Sequence, residues 1–492
     1  MREITGKQIG LFAGLALAAL IQLVPIPEGL SREAWILASI AVMMATWWAT
    51  EAIPIAATAL VPLALFPFFG IASTGATASP YASPIVLLLL GGFIVALAVE
   101  RWNLHARIAL NIVKTFGGRP AFLVAGFMAA SALLSMWISN TATTIMMIPI
   151  ALKVAQSVSE EGKANPAFAA ALALGVAYAA SIGGVGVFVG TPTNLIALGF
   201  LEREYNQVID PLVWSSFGMP IVIVFIPIAW FILTRFAFKL RTDIDSQAAR
   251  DVVSRELTAL GKITTPEARI AILFSCVALL WMGQAYLWNP LLNWIEASAG
   301  LTLNLSVSNT QIALLGALAA FLIPAGGKEG QGRMLMDWEA TARLPWGVII
   351  LFGGGLSLAA ALSSTGLAEW LGGQMGFLTA LPVPLLVFAM VLIVVFLTEL
   401  TSNVATTTAF LPILAAMAAG AGFPPERLIV PVAIAASFAF MLPVATAPNA
   451  IVYASGQVTQ RQMMQAGFKL NLTGAVIVAA MSALLGPVVF PG

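Results

Sequence analysis

Hydroxyl and amide side chains are concentrated at two places in this very apolar chain. The first is SMWISNTATTIMMIPIA, residues 135–151, and the second is TELTSNVATTTAFLPIL, residues 398–414. Aligned at an offset of 263 residues, the two segments are identical at seven of seventeen positions, including Ser-Asn, Ala-Thr-Thr and Pro-Ile. Side chains of this kind offer oxygen ligands to a cation and hydrogen-bond donors to an anion, so each segment is a candidate binding site.

The two polar segments, which interrupt long apolar runs, favour an anion held by neutral groups. They contain no basic residue, and the nearest, Lys153, lies well beyond the polar tip. A helix that starts at such a tip presents free N–H groups and about half a positive charge to a ligand. A buried lysine or arginine would cost several kcal/mol unless it were paired. We therefore predict an anion site built from hydroxyls, amides and helix N-termini.

The same tips offer oxygen atoms to an alkali cation. An anion that enters a cell with a negative interior works against about 2.3 kcal/mol per charge per 100 mV, and co-transported cations offset this. Hydroxyl, amide and backbone oxygens freed by broken helices are suitable ligands for sodium. Two ligand sets are predicted: Ser135, Ser139, Asn140 and Gly190 in the first half, and Thr398, Thr401, Asn403 and Ala445 in the second.

The composition places these tips in a membrane protein. Of the 492 residues, 60% are hydrophobic and 9% are charged, whereas soluble proteins carry about a quarter charged residues. The net charge of +1 and the absence of a basic run give no indication of a nucleic-acid partner. With a single cysteine and a single histidine, Cys276 and His105, the chain has no disulfide framework and is a poor candidate for a zinc or haem protein.

Apolar segments long enough to approach the width of a bilayer recur along the whole chain. Some are too short, or too broken by Gly, Pro and Asn, to be simple spans, and irregular backbone in a membrane must be buried in protein or line a wet cavity. The two Ser-Asn tips therefore predict re-entrant hairpins. The candidate segments are 9–26, 34–50, 53–70, 82–100, 121–138, 141–155, 167–200, 211–236, 268–288, 310–325, 346–362, 382–397, 404–420, 428–456 and 466–490.

The distribution of Lys and Arg predicts the orientation. A polar segment, residues 237–267, divides the chain and is rich in basic residues, as is the loop around 328–343. Residues 289–309 contain none. By the positive-inside rule, the central segment and the N-terminus are expected in the cytoplasm, and residues 289–309 outside, in a multi-pass protein of the plasma membrane.

Two further pairs of segments show that the halves are related. LLGGFIVALA, residues 89–98, matches LFGGGLSLAA, residues 351–360, and GTPTN, residues 190–194, matches ATAPN, residues 445–449. For one motif alone, ordinary helix contacts and kinks would explain the Ser, Thr, Gly and Pro content. The ordered set favours a secondary transporter with duplicated halves. An odd number of spans between the equivalent segments would make the repeats inverted.

These motifs closely resemble those of the divalent anion:sodium symporters, the dicarboxylate and citrate carriers. The resemblance rests on the paired Ser-Asn segments and on WWATEAIP (47–54), AYAASIGGVGVFVGTPTN (177–194) and FMLPVATAPNAIVYASG (440–456). It implies an all-α fold of about eleven transmembrane helices, with two inverted repeats that each contain a re-entrant hairpin and a broken helix. It also implies a homodimer that works by an elevator motion. The implied scaffold is 1–118 and 241–378, and the implied transport domain is 119–240 and 379–492.

The resemblance also assigns residues to the anion. One carboxylate is expected at the first tip and another at the second, with Thr191 and Thr446 lining the same site. The implied anion-binding residues are Ser139, Asn140, Thr141, Thr191, Ser402, Asn403 and Thr446. Val404 departs from the family pattern, since a hydroxyl often stands there. This leaves room for citrate or a less demanding anion.

Sodium-coupled symport of C4-dicarboxylates is the leading functional hypothesis. A sodium-independent anion exchanger, or a carrier of citrate or sulfate, is the alternative within transport. An ion channel would repeat one filter around an axis, whereas this chain has two non-identical tips. An intramembrane enzyme would need a catalytic set such as paired Asp, Ser with a His or Lys base, or a metal motif. The single histidine and the absence of a His-Glu-x-x-His motif argue against one.

Three titratable residues outside the tips have open roles. Glu51 and Glu399 are acids in apolar surroundings, and each could carry a proton, organise a cation site or be a hydrogen-bonded structural carboxylate. His105 lies in the segment 100–114, where spaced charges and an apolar face predict a helix in the membrane interface. There we expect a surface histidine and not a ligand.

Overall fold

A computed structural model describes residues 6–157, 159–160, 163–240, 247–299, 306–374 and 381–491. Arg241 and residues 300–305, which enter the orientation argument, lie outside this part of the chain. The described chain is almost entirely α-helical, with two short antiparallel hairpins, β1–β2 and β3–β4. The strands are β1 (Ser159–Glu160), β2 (Lys163–Ala164), β3 (Pro324–Gly326) and β4 (Gly330–Met334).

Twelve α-helices precede the central polar segment in the described chain. Helix α12 continues into a π-helical turn, Ile232–Ala237, and a 3₁₀ turn, Ser79–Ala82, leads into α6. The helices are α1 (Gly6–Leu23), α2 (Arg32–Thr50), α3 (Ile55–Thr58), α4 (Val61–Phe68), α5 (Thr74–Ala78), α6 (Pro84–Arg101), α7 (Leu104–Thr115), α8 (Pro120–Ser135), α9 (Asn140–Ser157), α10 (Pro166–Gly183), α11 (Pro192–Tyr205) and α12 (Pro211–Phe231).

Eleven more helices follow in the described chain. A π-helical turn, Gln284–Trp288, joins α14 to α15, and a 3₁₀ turn, Glu339–Arg343, precedes α17. The helices are α13 (Gln247–Ala259), α14 (Thr265–Gly283), α15 (Asn289–Ala299), α16 (Asn309–Leu322), α17 (Trp346–Ser364), α18 (Leu367–Gln374), α19 (Val383–Leu397), α20 (Asn403–Gly420), α21 (Glu426–Ala435), α22 (Ala447–Ala454) and α23 (Gln460–Val489).

Length and hydropathy confirm an all-α protein built to cross a membrane. Within the described residues, eight helical stretches are long and apolar enough to span a bilayer, and four shorter apolar helices accompany them. Two of the shorter ones, α8 and α19, lead to the polar tips. The expected count of about eleven crossings stays a prediction.

The two halves follow the same order of helices. Helices α6 to α12 correspond in sequence to α17 to α23, and in both series a break of a few residues separates the hairpin arms. The predicted broken helices are also present, because α10 stops at Gly183 before α11 starts at Pro192, and α21 stops at Ala435 before α22 starts at Ala447. Pro192 is the first residue of α11 and Pro448 is the second residue of α22, and the missing N–H of proline needs no partner in the first turn of a helix.

Small residues let the central helices approach closely. Every residue of α10 from Phe168 to Gly183 is buried, and a methyl group on Gly183 would collide with the backbone of Ala132 in α8. Polar contacts then join the halves: the Tyr178 hydroxyl donates to the Phe440 carbonyl over 2.7 Å. Close backbone approach and a few buried hydrogen bonds are the usual means of holding helices together in lipid.

Two local expectations differ from the structure. His105 is buried, with 8% of its surface exposed, so the expected surface histidine is wrong. Helix α7 is amphipathic, but His105 lies one turn before Ala109 on its buried face. Residues 289–309, which the orientation argument treats as an external loop, begin with helix α15.

Candidate anion and cation site

One cavity of about 910 Å³ collects both polar tips and both broken helices. Residues that lie more than 250 positions apart therefore face the same space. All seven residues assigned to the anion line this cavity: Ser139, Asn140, Thr141, Thr191, Ser402, Asn403 and Thr446. Val404 lines it too, at the position that corresponds to Thr141.

Four helices begin at the wall of this cavity. Helices α9 and α20 start at Asn140 and Asn403, and α11 and α22 start directly after Thr191 and Thr446. The first residues of all four helices line the cavity. Each N-terminus contributes free N–H groups and about half a positive charge, an arrangement that suits an anion without a buried basic residue.

Side chains at the first tip fix its amide. The Ser139 Oγ accepts the Ala142 N–H over 3.1 Å, which caps α9. Thr144 Oγ1 donates to the Asn140 carbonyl over 2.8 Å, and the Ser135 hydroxyl donates to the Asn140 side-chain oxygen. Because Oδ1 of Asn140 accepts this hydrogen bond on the buried side, its Nδ2 group is left to donate to a ligand in the cavity.

The second tip repeats the contacts of the asparagine, but its Ser402 forms no side-chain cap on α20. The Thr398 hydroxyl lies 2.6 Å from Oδ1 of Asn403 and 3.0 Å from the Ala436 carbonyl oxygen. Thr407 Oγ1 donates to the Asn403 carbonyl over 2.8 Å. Thr401, another predicted cation ligand at this tip, donates to the Leu397 carbonyl over 3.0 Å and lies 2.5 Å from the Thr406 hydroxyl.

The predicted cation ligands fall into two layers. Ser139, Asn140, Gly190, Thr401, Asn403 and Ala445 line the cavity. Ser135 and Thr398 do not line it but lie directly behind the two asparagines and are fully buried. The two buried hydroxyls therefore lie on the buried side of the tips, next to the amide oxygens that a cation would contact.

Backbone oxygens complete the first set. A methyl group on Gly184 would lie 2.9 Å from Oδ1 of Asn140 and 3.1 Å from the Gly190 carbonyl oxygen. The break between α10 and α11 therefore folds back on itself against the tip, and only residues without a side chain fit this approach. Neutral oxygens in this number suit a hard monovalent cation. Among the described residues, no cluster of His, Cys, Asp or Glu offers a transition-metal site.

Two asparagines that the sequence analysis left unassigned hold the broken segments. Asn194 Nδ2 donates to the carbonyls of Gly184 and Val187 over 3.1 and 2.9 Å. Asn449 Nδ2 donates to the carbonyls of Ala439 and Leu442, each over 3.0 Å. Their shared place at the end of GTPTN and ATAPN is the sequence signal that could have identified them.

Glu399 organises the second broken segment and has no counterpart in the first. Its carboxylate accepts the backbone N–H groups of Phe440, Met441 and Leu442 over 2.7, 2.9 and 2.9 Å. Asn471 Nδ2 donates a fourth bond over 2.7 Å, and only 3% of Glu399 is exposed. At the offset of 263 residues the first half has Met136. The geometry therefore favours a positioning role for this acid over a proton carrier.

Three charged side chains in the described chain line the cavity: Glu51, Glu100 and Arg343. Glu51 is not embedded in apolar surroundings as expected, because it is exposed and lies 4.0 Å from the Lys7 ammonium. Arg343 and Glu100 were not predicted, since neither belongs to a repeated motif and each is remote in sequence from the tips. Ser181 also lines the cavity and was missed.

Comparison with known proteins gives matches along almost the whole chain. The profile of the sodium:sulfate symporter transmembrane region matches residues 5–491. The sodium-dependent dicarboxylate transporter SdcS of Staphylococcus saprophyticus is 39% identical over 489 residues, which cover 98% of this chain and 92% of the relative. SdcS of Staphylococcus aureus is 39% identical over 492 residues, with 99% and 92% coverage.

Solved structures support the same architecture. MtrF of Neisseria gonorrhoeae, from a class of antimetabolite efflux pumps, has a TM-score of 0.58 at 16% identity and covers 95% of this chain and 97% of its own. The YdaH transporter of Alcanivorax borkumensis has a TM-score of 0.57 at 15% identity, with 99% coverage of both chains. At these identities the likeness concerns the fold alone.

Proposed function

Because this chain belongs to the sodium:sulfate symporter family, we propose that it carries C4-dicarboxylates such as succinate, malate or fumarate into the cell together with sodium. Family membership agrees with the resemblance drawn from the motifs, and it makes the chain a transporter and not an enzyme. One observation carries the proposal: two asparagine amides and four helix N-termini face one cavity. The names of the SdcS relatives support both the dicarboxylate and the sodium.

In this proposal the two tips bind the two ends of the anion. Ser139, Asn140 and Thr141 hold one carboxylate, and Ser402 and Asn403 hold the other. Thr191 and Thr446 border the same space at the starts of α11 and α22. A carboxylate at a helix N-terminus is stabilised by the free N–H groups and the helix dipole.

Sodium would bind behind each tip and couple to the anion through the amides. The cation contacts Oδ1 of Asn140 or Asn403, which turns the Nδ2 hydrogens of the same amide toward the carboxylate. Ser135 and Ser139 with the Gly190 carbonyl, and Thr398 and Thr401 with the Ala445 carbonyl, supply further oxygens. Since one amide serves both ions, each raises the affinity for the other by the same factor.

The movement we propose is an elevator motion of residues 119–240 with 379–492 against a scaffold of 1–118 and 241–378. The Tyr178–Phe440 hydrogen bond and the 2.9 Å contact between the hydroxyls of Thr193 and Ser437 support movement of the two transport halves as one body. We count α6, the broken α10–α11, α12, α14 and α16 as five crossings before α17. This odd number would make the repeats inverted. A homodimer remains part of the proposal on the strength of the family resemblance.

The cavity opens, in this proposal, on the cytoplasmic side. Glu51 lies at its wall and pairs with Lys7 near the N-terminus. Arg343 lies at the same wall and belongs to the basic loop that the positive-inside rule places in the cytoplasm.

A second candidate is a carrier of citrate or sulfate, or a sodium-independent exchanger. Val404 supports it, because a missing hydroxyl donor at the second tip makes the site less demanding of a second carboxylate. The name of the family, which contains sulfate, points in the same direction.

Uptake of labelled succinate into proteoliposomes tests the proposal. An inward sodium gradient is compared with an equal potassium gradient, and citrate and sulfate serve as competitors. Uptake that requires sodium supports symport, and the competitors rank the anions. Uptake that ignores sodium but needs an anion inside the vesicles would replace symport by exchange, and the cation sites would be abandoned.

A further inference from the structure

The mouth of the cavity carries a charged pair that the tips do not need. Arg343 is the one basic side chain among the described residues of the cavity wall, and Glu100 lies on the same wall. Their closest atoms, Nη2 of Arg343 and Oε2 of Glu100, are 3.9 Å apart. This distance is at the long limit of an ion pair, so the guanidinium is held loosely.

Other contacts, and not this pair, attach the loop of Arg343 to the rest of the protein. Arg101 forms a close ion pair with Asp337, and the Trp102 indole donates to the Leu335 carbonyl over 2.8 Å. These contacts fasten residues 335–337 to the end of α6, one and two positions after Glu100. The Arg343 side chain is 65% exposed, so it is not fixed by packing. Its charge is therefore available to a ligand in the cavity mouth.

We propose that Arg343 and Glu100 form a capture site for the dicarboxylate at the mouth of the cavity. A carboxylate of the incoming or departing anion takes the place of Glu100 on the Arg343 guanidinium, and Glu100 returns when the anion moves to the tips or leaves. The site binds the same class of anion as the tips, so this inference rests on the proposed function. It adds a residue pair that determines the rate of access.

The chemistry of the two groups suits transient capture. A guanidinium binds a carboxylate through two parallel N–H donors, which makes it a strong and specific anion ligand. A competing carboxylate 3.9 Å away weakens this complex, which suits a transient contact. The exposed Arg343 guanidinium also attracts anions to the mouth and speeds association, in a manner that salt suppresses.

Stopped-flow binding of succinate to the purified protein in detergent, with sodium present, tests the capture site. Intrinsic fluorescence is a suitable signal because Trp137 and Trp281 line the cavity. We expect Arg343→Gln to slow association at least about fivefold at low ionic strength and to flatten its dependence on added choline chloride. Arg343→Lys keeps the charge and should retain most of the salt dependence. Glu100→Gln should speed association and slow dissociation.

Arg333→Gln is the matched control, since Arg333 is exposed in the same basic loop but does not line the cavity. If Arg343→Gln and Arg333→Gln associate equally fast, the capture site is refuted while the proposed function stands. A Glu100→Gln variant with unchanged association and dissociation would also refute it. If the unaltered protein fails to bind succinate in sodium, the proposed function itself falls and the capture site falls with it.

Discussion

The Thr398 hydroxyl lies 2.6 Å from the side-chain amide oxygen of Asn403, and Ser135 makes the equivalent hydrogen bond to Asn140. Both hydroxyls are fully buried behind the tips, while both asparagines line the cavity. A buried polar group is retained where it has a partner, and here the partner is a residue that faces the ligand. A change in what binds to either asparagine amide therefore acts directly on the hydrogen bond of the buried hydroxyl behind it.

Replacing Thr398 by Val should weaken sodium binding at the second tip. The substitution removes a hydroxyl that contacts Asn403 and the Ala436 carbonyl, at a cost of about 1 kcal/mol to the fold. We expect sodium to raise the unfolding temperature of the unaltered protein, since a ligand at 100 times its Kd stabilises by about 2.7 kcal/mol. The Thr398→Val variant should need at least several-fold more sodium for the same rise.

Thr398→Ser is the control for this experiment, because it keeps the oxygen and removes only a methyl group. Thermal unfolding in sodium against potassium, over a range of concentrations, measures the effect. Equal sodium dependence in Thr398→Val and Thr398→Ser would remove the hydroxyl from the cation site.

Asn140→Ala and Asn403→Ala should each abolish sodium-driven uptake while the protein still folds. Each change removes an amide that is proposed to bind cation and anion together, and a hydrogen bond to a charged group is worth about 1.5–3 kcal/mol. Uptake into proteoliposomes measures the loss, and size-exclusion profiles check folding. Normal transport by both variants would mean that the ions bind elsewhere.

Glu399→Gln should impair sodium binding at the second tip more than it impairs the fold. Glutamine offers one acceptor oxygen, whereas the carboxylate accepts N–H groups from Phe440, Met441, Leu442 and Asn471. Its amide hydrogens would face backbone donors, and each unsatisfied buried group costs about 1–3 kcal/mol. We expect a higher sodium requirement for uptake, with a smaller change in unfolding temperature.

Asn471→Ala provides a graded comparison, since it removes one of the four donors and leaves the carboxylate in place. Its sodium requirement should lie between those of the unaltered protein and Glu399→Gln. A proton-carrying role for Glu399 predicts a different result, namely that Glu399→Gln makes uptake independent of an imposed pH gradient that drives it in the unaltered protein.

The repeat made much of this site predictable. Seven identities at an offset of 263 residues, together with GTPTN and ATAPN, indicated duplicated tips and breaks, and the family resemblance assigned them to one site. Both tips and both breaks line one cavity. The starts of α11 and α22 carry a sequence signal that the segment bounds 167–200 and 428–456 did not use, because Pro192 and Pro448 stand in the first turns of these helices. Periodic apolar segments predicted the helices themselves, since a helix in lipid must satisfy its backbone internally.

Residues outside the repeat were not predictable in this way. Arg343 and Glu100 meet through the packing of a loop on α6, and nothing in their local sequence indicates the other. Glu399 stands out in the sequence as an acid in an apolar segment. Its hydrogen-bond partners could not be predicted, because they lie about 40 and 72 positions away. His105 was misplaced because amphipathic periodicity locates a helix at an interface without stating which face each flanking residue takes.

Substituting Thr141 by Val, or Val404 by Thr, should change which anion the protein prefers. Thr141 and Val404 correspond at the two tips, both line the cavity, and Thr and Val have nearly the same shape. Thr141→Val removes one donor, so we expect the KM for succinate to rise about tenfold or more. Val404→Thr adds a donor and should lower it. Competition of sulfate and citrate with succinate uptake measures the preference. If the apparent affinities for all three anions change by the same factor, these residues do not determine specificity.

Substituting Gly184 by Ala should displace Asn140 and weaken both sodium and anion binding. The added methyl group would stand 2.9 Å from the Asn140 amide oxygen and 3.1 Å from the Gly190 carbonyl, which belongs to a backbone held by Asn194. Neither neighbour can move without disturbing a predicted cation ligand, so we expect at least a tenfold rise in the sodium concentration needed for half-maximal uptake.

Gly186→Ala is the matched control, two positions further along the same break. Its methyl group would meet the side chains of Met219, Met136 and Val222 at 2.9, 3.2 and 3.2 Å. The two methionines are flexible, and none of the three residues is a predicted cation ligand. Sodium dependence of succinate uptake should therefore change little in this variant. Equal damage by both substitutions would mean that the whole break is intolerant of bulk and that Gly184 has no particular relation to the cation. If only Gly184→Ala alters the sodium dependence of uptake, then sodium binding requires both the Asn140 amide and the close fold of the break against it.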